Sequence, residues 1–161
     1  MARGVYTGSA ANITVAGATT ILSVRPGTTC SIEFLRVWVS FSGTATSAQN
    51  RIIIGSKVTA FGTFTGITPA KTSLIDQVSA IVSGTAEAAG TSGSNCSSEG
   101  GGTLTNIVPD DFNSLNGYLW VPTPAETITL NASSASAFNV MFGAAPSVTT
   151  GWSYGATFRE V

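Results

Sequence analysis

Adjacent carboxylates are the densest chemistry in the chain: Asp110 and Asp111 stand together, with Asn113 two positions on. Oxygen donors so placed could ligate calcium, and paired carboxylates could divide acid and base roles. Their surroundings argue otherwise. Neighbours in an extended segment point to opposite sides, no D-x-D-x-D-G loop encloses the pair, and Val108-Pro109-Asp110-Asp111-Phe112-Asn113 is predicted to be a turn. The chain has no His, so every Ser-His-Asp, Cys-His or His-ligated metal scheme falls away. Only Lys57 and Lys71 remain as bases for a nucleophilic serine. Gly100-Gly101-Gly102 lacks the following Lys-Ser/Thr and the strand-to-helix setting of a phosphate cradle. The expectation is a non-enzymatic protein with no catalytic residue, no metal and no cofactor.

Cysteines and aromatics are the next reactive or sticky groups. Cys30 opens an apolar stretch and reads as a small buried hydrophobe, whereas Cys96 lies among Ser and Gly and reads as an exposed thiol. A bridge between them would contribute ~4 kcal/mol in the chain-entropy model, but two cysteines alone do not establish it. Trp38, Trp120, Trp152, Tyr118 and Tyr154 could stack on sugars. Each sits in a strand beside aliphatic residues, so core packing is the expectation. Arg36 interrupts an apolar strand and must reach solvent, an interface or a buried carboxylate.

These groups need a frame, and composition says what kind. Charged residues are 9% of the chain, 7 basic against 8 acidic, where about 25% is usual. With a net charge of -1 and no Lys/Arg run, neither nucleic acid nor an anionic membrane surface is an expected partner. Ser, Thr, Ala and Gly supply 81 of the 161 residues, so the surface must be built from small hydroxyls. A hydrophobic share of 43% excludes the low-hydropathy signature of disorder. The segment after Arg3 is too polar for a secretory h-region, and no run approaches the ~20 apolar residues of a membrane span.

Short β-rich segments punctuated by Gly, Pro and Asn predict an all-β chain, a β-sandwich or jelly roll of about eight to ten short antiparallel strands. One domain over 1–161 is expected, with an N-terminal arm at about 1–10. Edge strands are expected at 5–7 and 13–15 and further strands at 20–24, 30–41, 51–58, 118–121, 127–131, 137–142 and 151–161, with a loop at 42–47. In 30–41 both faces are apolar, which requires a deep position or a bulge near Phe34-Leu35 that swaps the faces. In the last segment Trp152, Tyr154, Ala156, Phe158 and Glu160 share one face. Thr68-Pro69 followed by Leu74, Ile75, Val78, Ile81 and Val82 at helical spacing favours one short helix near 69–82, with a strand as the alternative because Gln77 to Ser83 partly alternates. Residues 83–103, almost all Gly, Ala, Ser and Thr, read as a long flexible loop.

Met1-Ala2-Arg3-Gly4-Val5-Tyr6-Thr7, Arg51-Ile52-Ile53-Ile54-Gly55, Gly117-Tyr118-Leu119-Trp120-Val121-Pro122-Thr123-Pro124 and Ala144-Ala145-Pro146 before a terminal Trp/Tyr/Phe strand occur in this order. The arrangement resembles a family of small tailed-bacteriophage virion structural proteins. Ala125 intervenes before Glu126, a one-residue departure from that pattern, and 83–103 does not match it. The resemblance implies a capsid decoration (cement) protein that binds the major capsid protein on the virion surface, assembled in the host cytoplasm and homo-oligomeric, with a trimer favoured. It supplies no catalytic residue. Its motifs nominate Arg3, Val5, Tyr6, Pro122 and Pro124 as partner-binding residues. Two rival readings are a tail or head-tail connector component and a carbohydrate-binding or host-adhesion module.

Overall fold

A computed structural model describes residues 3–43 and 47–161; Met1, Ala2 and the middle of the expected 42–47 loop lie outside the described residues. Thirteen strands make up the fold: β1 (Gly4–Ile13), β2 (Thr20–Val24), β3 (Ile32–Phe41), β4 (Gln49–Val58), β5 (Thr63–Gly66), β6 (Ala70–Lys71), β7 (Val82–Ser83), β8 (Thr91–Ser98), β9 (Thr103–Asn113), β10 (Tyr118–Trp120), β11 (Thr129–Leu130), β12 (Ser136–Phe142) and β13 (Trp152–Glu160). They exceed the expected eight to ten because several are two- or three-residue edge pieces. The first sheet runs β10-β3-β13-β1-β6 with β11 also on β3; the second runs β5-β8-β2-β12-β4-β9 with β7 beside β8. All pairings are antiparallel except that of β7 with β8.

The pairings are nested. β1 lies on β13, β2 on β12, β3 on β10 and β11, β4 on β9 and β5 on β8, so the chain behaves as one long hairpin rolled into two sheets. That connectivity makes the sandwich a jelly roll, extended by β5 and β8 on the edge of the second sheet. Between the sheets Phe34 stacks on Phe138 with ring centroids 3.6 Å apart, and Phe142 meets Trp152 edge-on at 4.9 Å. Both are pairs across the two layers, from β3 to β12 and from β12 to β13.

Strand β3 takes the bulged solution. Its register with β13 slips between Thr157 and Phe158, leaving Leu35 as the extra residue, so Ile32 and Phe34 before it and Val37 and Val39 after it all face the core. On β13 the five residues expected on one face, Glu160 included, are all buried.

Four expectations are corrected. No helix forms near 69–82: this stretch runs as a strap carrying β6 and β7, because its backbone groups bond to β1 and to the end of β13 instead of to each other. The N-terminal arm is strand β1, paired over most of its length with β13. Segment 83–103 contains β8, an internal strand between β5 and β2, with Ser92, Gly93 and Ser94 buried. The supposed turn at 108–113 is the end of edge strand β9, where Pro109 is tolerated because one side of the strand has no ladder to complete.

Candidate interaction surface

The strap between β5 and β8 crosses from the second sheet to the first and is held there by specific bonds. Lys71 and Ala70 pair with Tyr6 and Thr7 of β1. The Thr72 amide and hydroxyl donate to the Val5 carbonyl at 3.0 and 2.8 Å, and the Val5 amide donates to Asp76 Oδ2 at 3.2 Å. Tyr6 donates its hydroxyl to the Gln77 carbonyl at 2.8 Å. Burial first, then the nearby Glu160 and Asp76 carboxylates, push its phenol upward, so it stays a donor.

Glu160 anchors the far end of the strap. Its fully buried carboxylate accepts from the Ala80 amide at 3.0 Å to each oxygen and from the Ser79 hydroxyl, and Arg3 Nε lies 3.1 Å from Oε2. Ile81 then enters the core. A carboxylate in this position is tolerable because its oxygens are both paired and hydrogen-bonded. Gly4 makes the Asp76 contact possible: its φ is +144°, and an added Cβ would come within 2.6 Å of Asp76 Cγ.

What the anchored strap presents outward is apolar. Leu74 is 95% exposed, Ile75 94% and Val78 73%, with Val82 also exposed. Side chains this apolar on a pinned backbone are displayed, not frayed.

At the opposite lateral edge, β10 of the first sheet and β9 of the second leave a groove of about 410 Å³ lined by Ile107, Val108, Trp120 and Glu126. The β4–β9 register slips between Val108 and Asn106, so Ile107 is an unpaired bulge residue and stands exposed. Leu115, Leu119 and Val121 are exposed along β10 and its flanks, Leu119 on the outer face of the first sheet opposite Trp38. Glu126 sits in the turn after β10, where it accepts the Thr123 hydroxyl at 2.8 Å.

The nominated residues therefore divide. Arg3, Val5 and Tyr6 converge, but as anchors of the strap: Tyr6 is buried, Val5 clamps through its backbone and Arg3 pairs with Glu160. Pro122, half-buried, and Pro124, exposed, lie at the other edge in the segment leading into the Glu126 turn. Motif spacing missed Leu74, Ile75 and Val78 as a displayed surface, although Glu160 on an otherwise apolar face was a signal that some segment must come to meet a carboxylate there.

No protein-family model, curated protein or solved structure matches this chain. The site is interpreted from its own chemistry.

Charged side chains elsewhere in the fold are engaged in structural bonds. Asp111 takes a bidentate bond from Arg51 at 3.0 and 3.2 Å, and this bond holds its carboxyl below the ordinary range. Asp110 accepts the Asp111 amide at 2.8 Å. Among the described residues no group of three His, Cys, Asp or Glu could hold a metal ion. Glu87 is buried outside the second sheet and accepts from Ser23, Asn139 Nδ2 at 2.7 Å and the Gly62 amide at 2.8 Å. Lys57, also buried, pairs with Glu99 at 3.2 Å. At Glu99 burial raises the carboxyl, but bonds from the Thr20 amide and hydroxyl, Lys57 and Thr19 outweigh it and hold it below its ordinary value. Cys30 is buried, Cys96 half-buried, and both are free thiols; burial and then Glu99 push Cys96 up to about 11, which leaves it a poor nucleophile.

The aromatics also divide. Trp152 and Tyr154 are buried in the core, Tyr118 and Trp120 are half-buried against it, and Trp38 lies half-buried on the outer face of the first sheet with the Arg36 guanidinium 4.9 Å from its ring. Arg36 thus reaches solvent, and its Nη2 also donates to Thr157 Oγ1 at 3.3 Å.

Proposed function

We propose that this protein is a non-enzymatic virion structural protein, a capsid decoration (cement) protein that binds and stabilises the major capsid lattice. One observation carries the reading: among the described residues, eight of the nine exposed large hydrophobics, all but Val161, lie on elements at the two opposite lateral edges of the jelly roll. An isolated soluble domain has no use for Leu74 and Ile75 held almost fully in water, whereas a protein that works packed between neighbours does.

Magnitudes favour repeated contacts over a single docking. Burying Leu74, Ile75 and Val78 yields roughly 5–9 kcal/mol in total, against an association cost of about 4–15 kcal/mol. One such contact is marginal, but many contacts on a repeating shell reinforce one another through effective concentration. The low charge supports the same reading, because small hydroxyl side chains lose little rotamer freedom when ordered against a neighbour. Jelly rolls build viral capsid and lectin domains alike, so the fold supports the reading by analogy only.

The test is copy number. Quantitative mass spectrometry of purified phage particles should find this chain in hundreds of copies, in step with the capsid lattice. About a dozen copies would instead place it at the tail or connector, and its absence from the particle would end the proposal. The adhesion reading rests on Trp38 as the aromatic on an outer face, and a glycan array that shows binding lost in Trp38→Ala would favour it.

A further inference from the structure

We propose that the protein associates with copies of itself head to tail, the strap loop of one copy seating Leu74 and Ile75 in the Ile107–Val108–Trp120 groove of the next. The inference rests on reading these edges as contact surfaces, but not on the identity of the particle. The two features are complementary in kind. One is a convex pair of branched aliphatics on a loop pinned through Val5, Tyr6 and Glu160, and the other is a concave site of about 410 Å³ with apolar walls.

Their placement decides who the occupant is. The strap flanks β6 at one edge of the first sheet, and the groove adjoins β10 at the opposite edge, so no molecule can fill its own groove. A second copy can, and the pair then offers one unfilled strap and one unfilled groove to further copies. Such a contact joins unlike surfaces, which generates a closed ring or an open chain and never a two-fold dimer.

Charge fits the same occupant. Lys71 is exposed three residues before Leu74, and no described carboxylate of its own chain forms an ion pair with it. Glu126 lines the groove and is exposed, and among the described residues its carboxylate accepts the Thr123 hydroxyl and forms no ion pair. Seating the loop brings this cation to this carboxylate. Two bare edges bearing equal charges would repel, whereas these two attract and fix which edge meets which. The bulge at Ile107 belongs to the same design, since it turns an aliphatic outward at the groove's rim on a strand otherwise blunted by Pro109, Asp110 and Asp111.

The experiment uses the whole chain and native mass spectrometry across a range of protein concentrations, with circular dichroism to confirm folding. Wild-type protein should assemble. L74E/I75E, altered only at exposed side chains, should be monomeric, and so should I107E/E126K. An equimolar mixture of these two variants is the decisive arm: each retains one intact surface, so the mixture should give a 1:1 heterodimer and nothing larger. Lys71→Glu should weaken assembly at least tenfold, and K71E/E126K should recover most of the loss. Wild-type protein that is monomeric throughout, a mixture that yields no heterodimer, or a wild-type assembly unaffected by L74E/I75E would each overturn the proposal. These outcomes leave the virion reading to its own copy-number test.

Discussion

Glu160 shows how much a single side chain can decide in a protein with so few charges. It ends a strand whose inward face is otherwise Trp152, Tyr154, Ala156 and Phe158, and its carboxylate binds Arg3 and the Ser79 hydroxyl and Ala80 amide of the strap. Replacing it with Gln removes the charge that Arg3 and two amides address. Glu160→Gln should lower unfolding free energy by about 2–3 kcal/mol, less than a fully enclosed pair because Arg3 keeps some solvent, as read from urea midpoints at constant slope. Glu99 sets the acid limit in the same way. Its folded-state carboxyl lies below the ordinary 4.5, so as pH falls the unfolded chain takes up the proton first. The stabilisation is complete above pH 4.5 and is lost as pH drops through the folded value. Because the chain has no His, thermal melting should be flat from pH 5 to 8 and fall below about pH 4.5, with a shallower fall in Glu99→Gln. A melting temperature that drops between pH 7 and 5.5 would contradict this.

At the scale of elements, the strap is the piece that displays Leu74, Ile75 and Val78 on the jelly roll, and it is also where sequence patterning fails. Leu74, Ile75, Val78, Ile81 and Val82 have helical spacing, but of these only Ile81 is buried, because both sheets already have their inner faces filled by each other. The stretch lacks an apolar surface to lie on, and its polar backbone finds β1 and Glu160 first. Segment 83–103 misleads for the opposite reason. Its small residues report close packing: at Gly93 an added Cβ would approach Phe64 Cβ to 2.6 Å, so β8 is Gly- and Ser-rich because β5 and the strap press on it. Strand 51–58 was legible because burial alternates along much of it, whereas 20–24 and most of 151–161 are buried on both faces and were legible from their β-branched, aromatic and other apolar residues. The bulge in β3 was legible as one of two solutions, and it brings Ile32 and Phe34 on one side of it and Val37 and Val39 on the other to the core. Gly4→Ala tests the strap's attachment. It sets a Cβ against Asp76 at a φ that disfavours side chains, a strain of ~1–3 kcal/mol, so limited proteolysis within 72–78 should accelerate several-fold while the global melt shifts little. Cleavage unchanged from wild type would show that the Asp76 contact does not hold the loop.

For the molecule as a whole, the scarcity of charge and the position of the exposed aliphatics form one pattern. Edge strands left bare invite uncontrolled pairing, and this fold keeps most of them to four residues or fewer and places Pro109, Asp110 and Asp111 along the long one. Apart from Val161, the exposed large hydrophobics of the described residues lie on the strap and along the β9–β10 edge, where the proposed association is directed. The candidate surface was therefore legible only as a composition that calls for neighbours; which residues meet them depends on strand order, which brings positions 74 and 107 to opposite edges. Cryo-microscopy of purified particles tests the central claim most directly, because it sees location and contacts together. The account predicts density for this jelly roll across the outer capsid surface, with the Leu74–Ile75 loop and the Ile107–Trp120 groove both buried in contacts. A shell without this chain, or copies that stand apart with both edges in solvent, would contradict it.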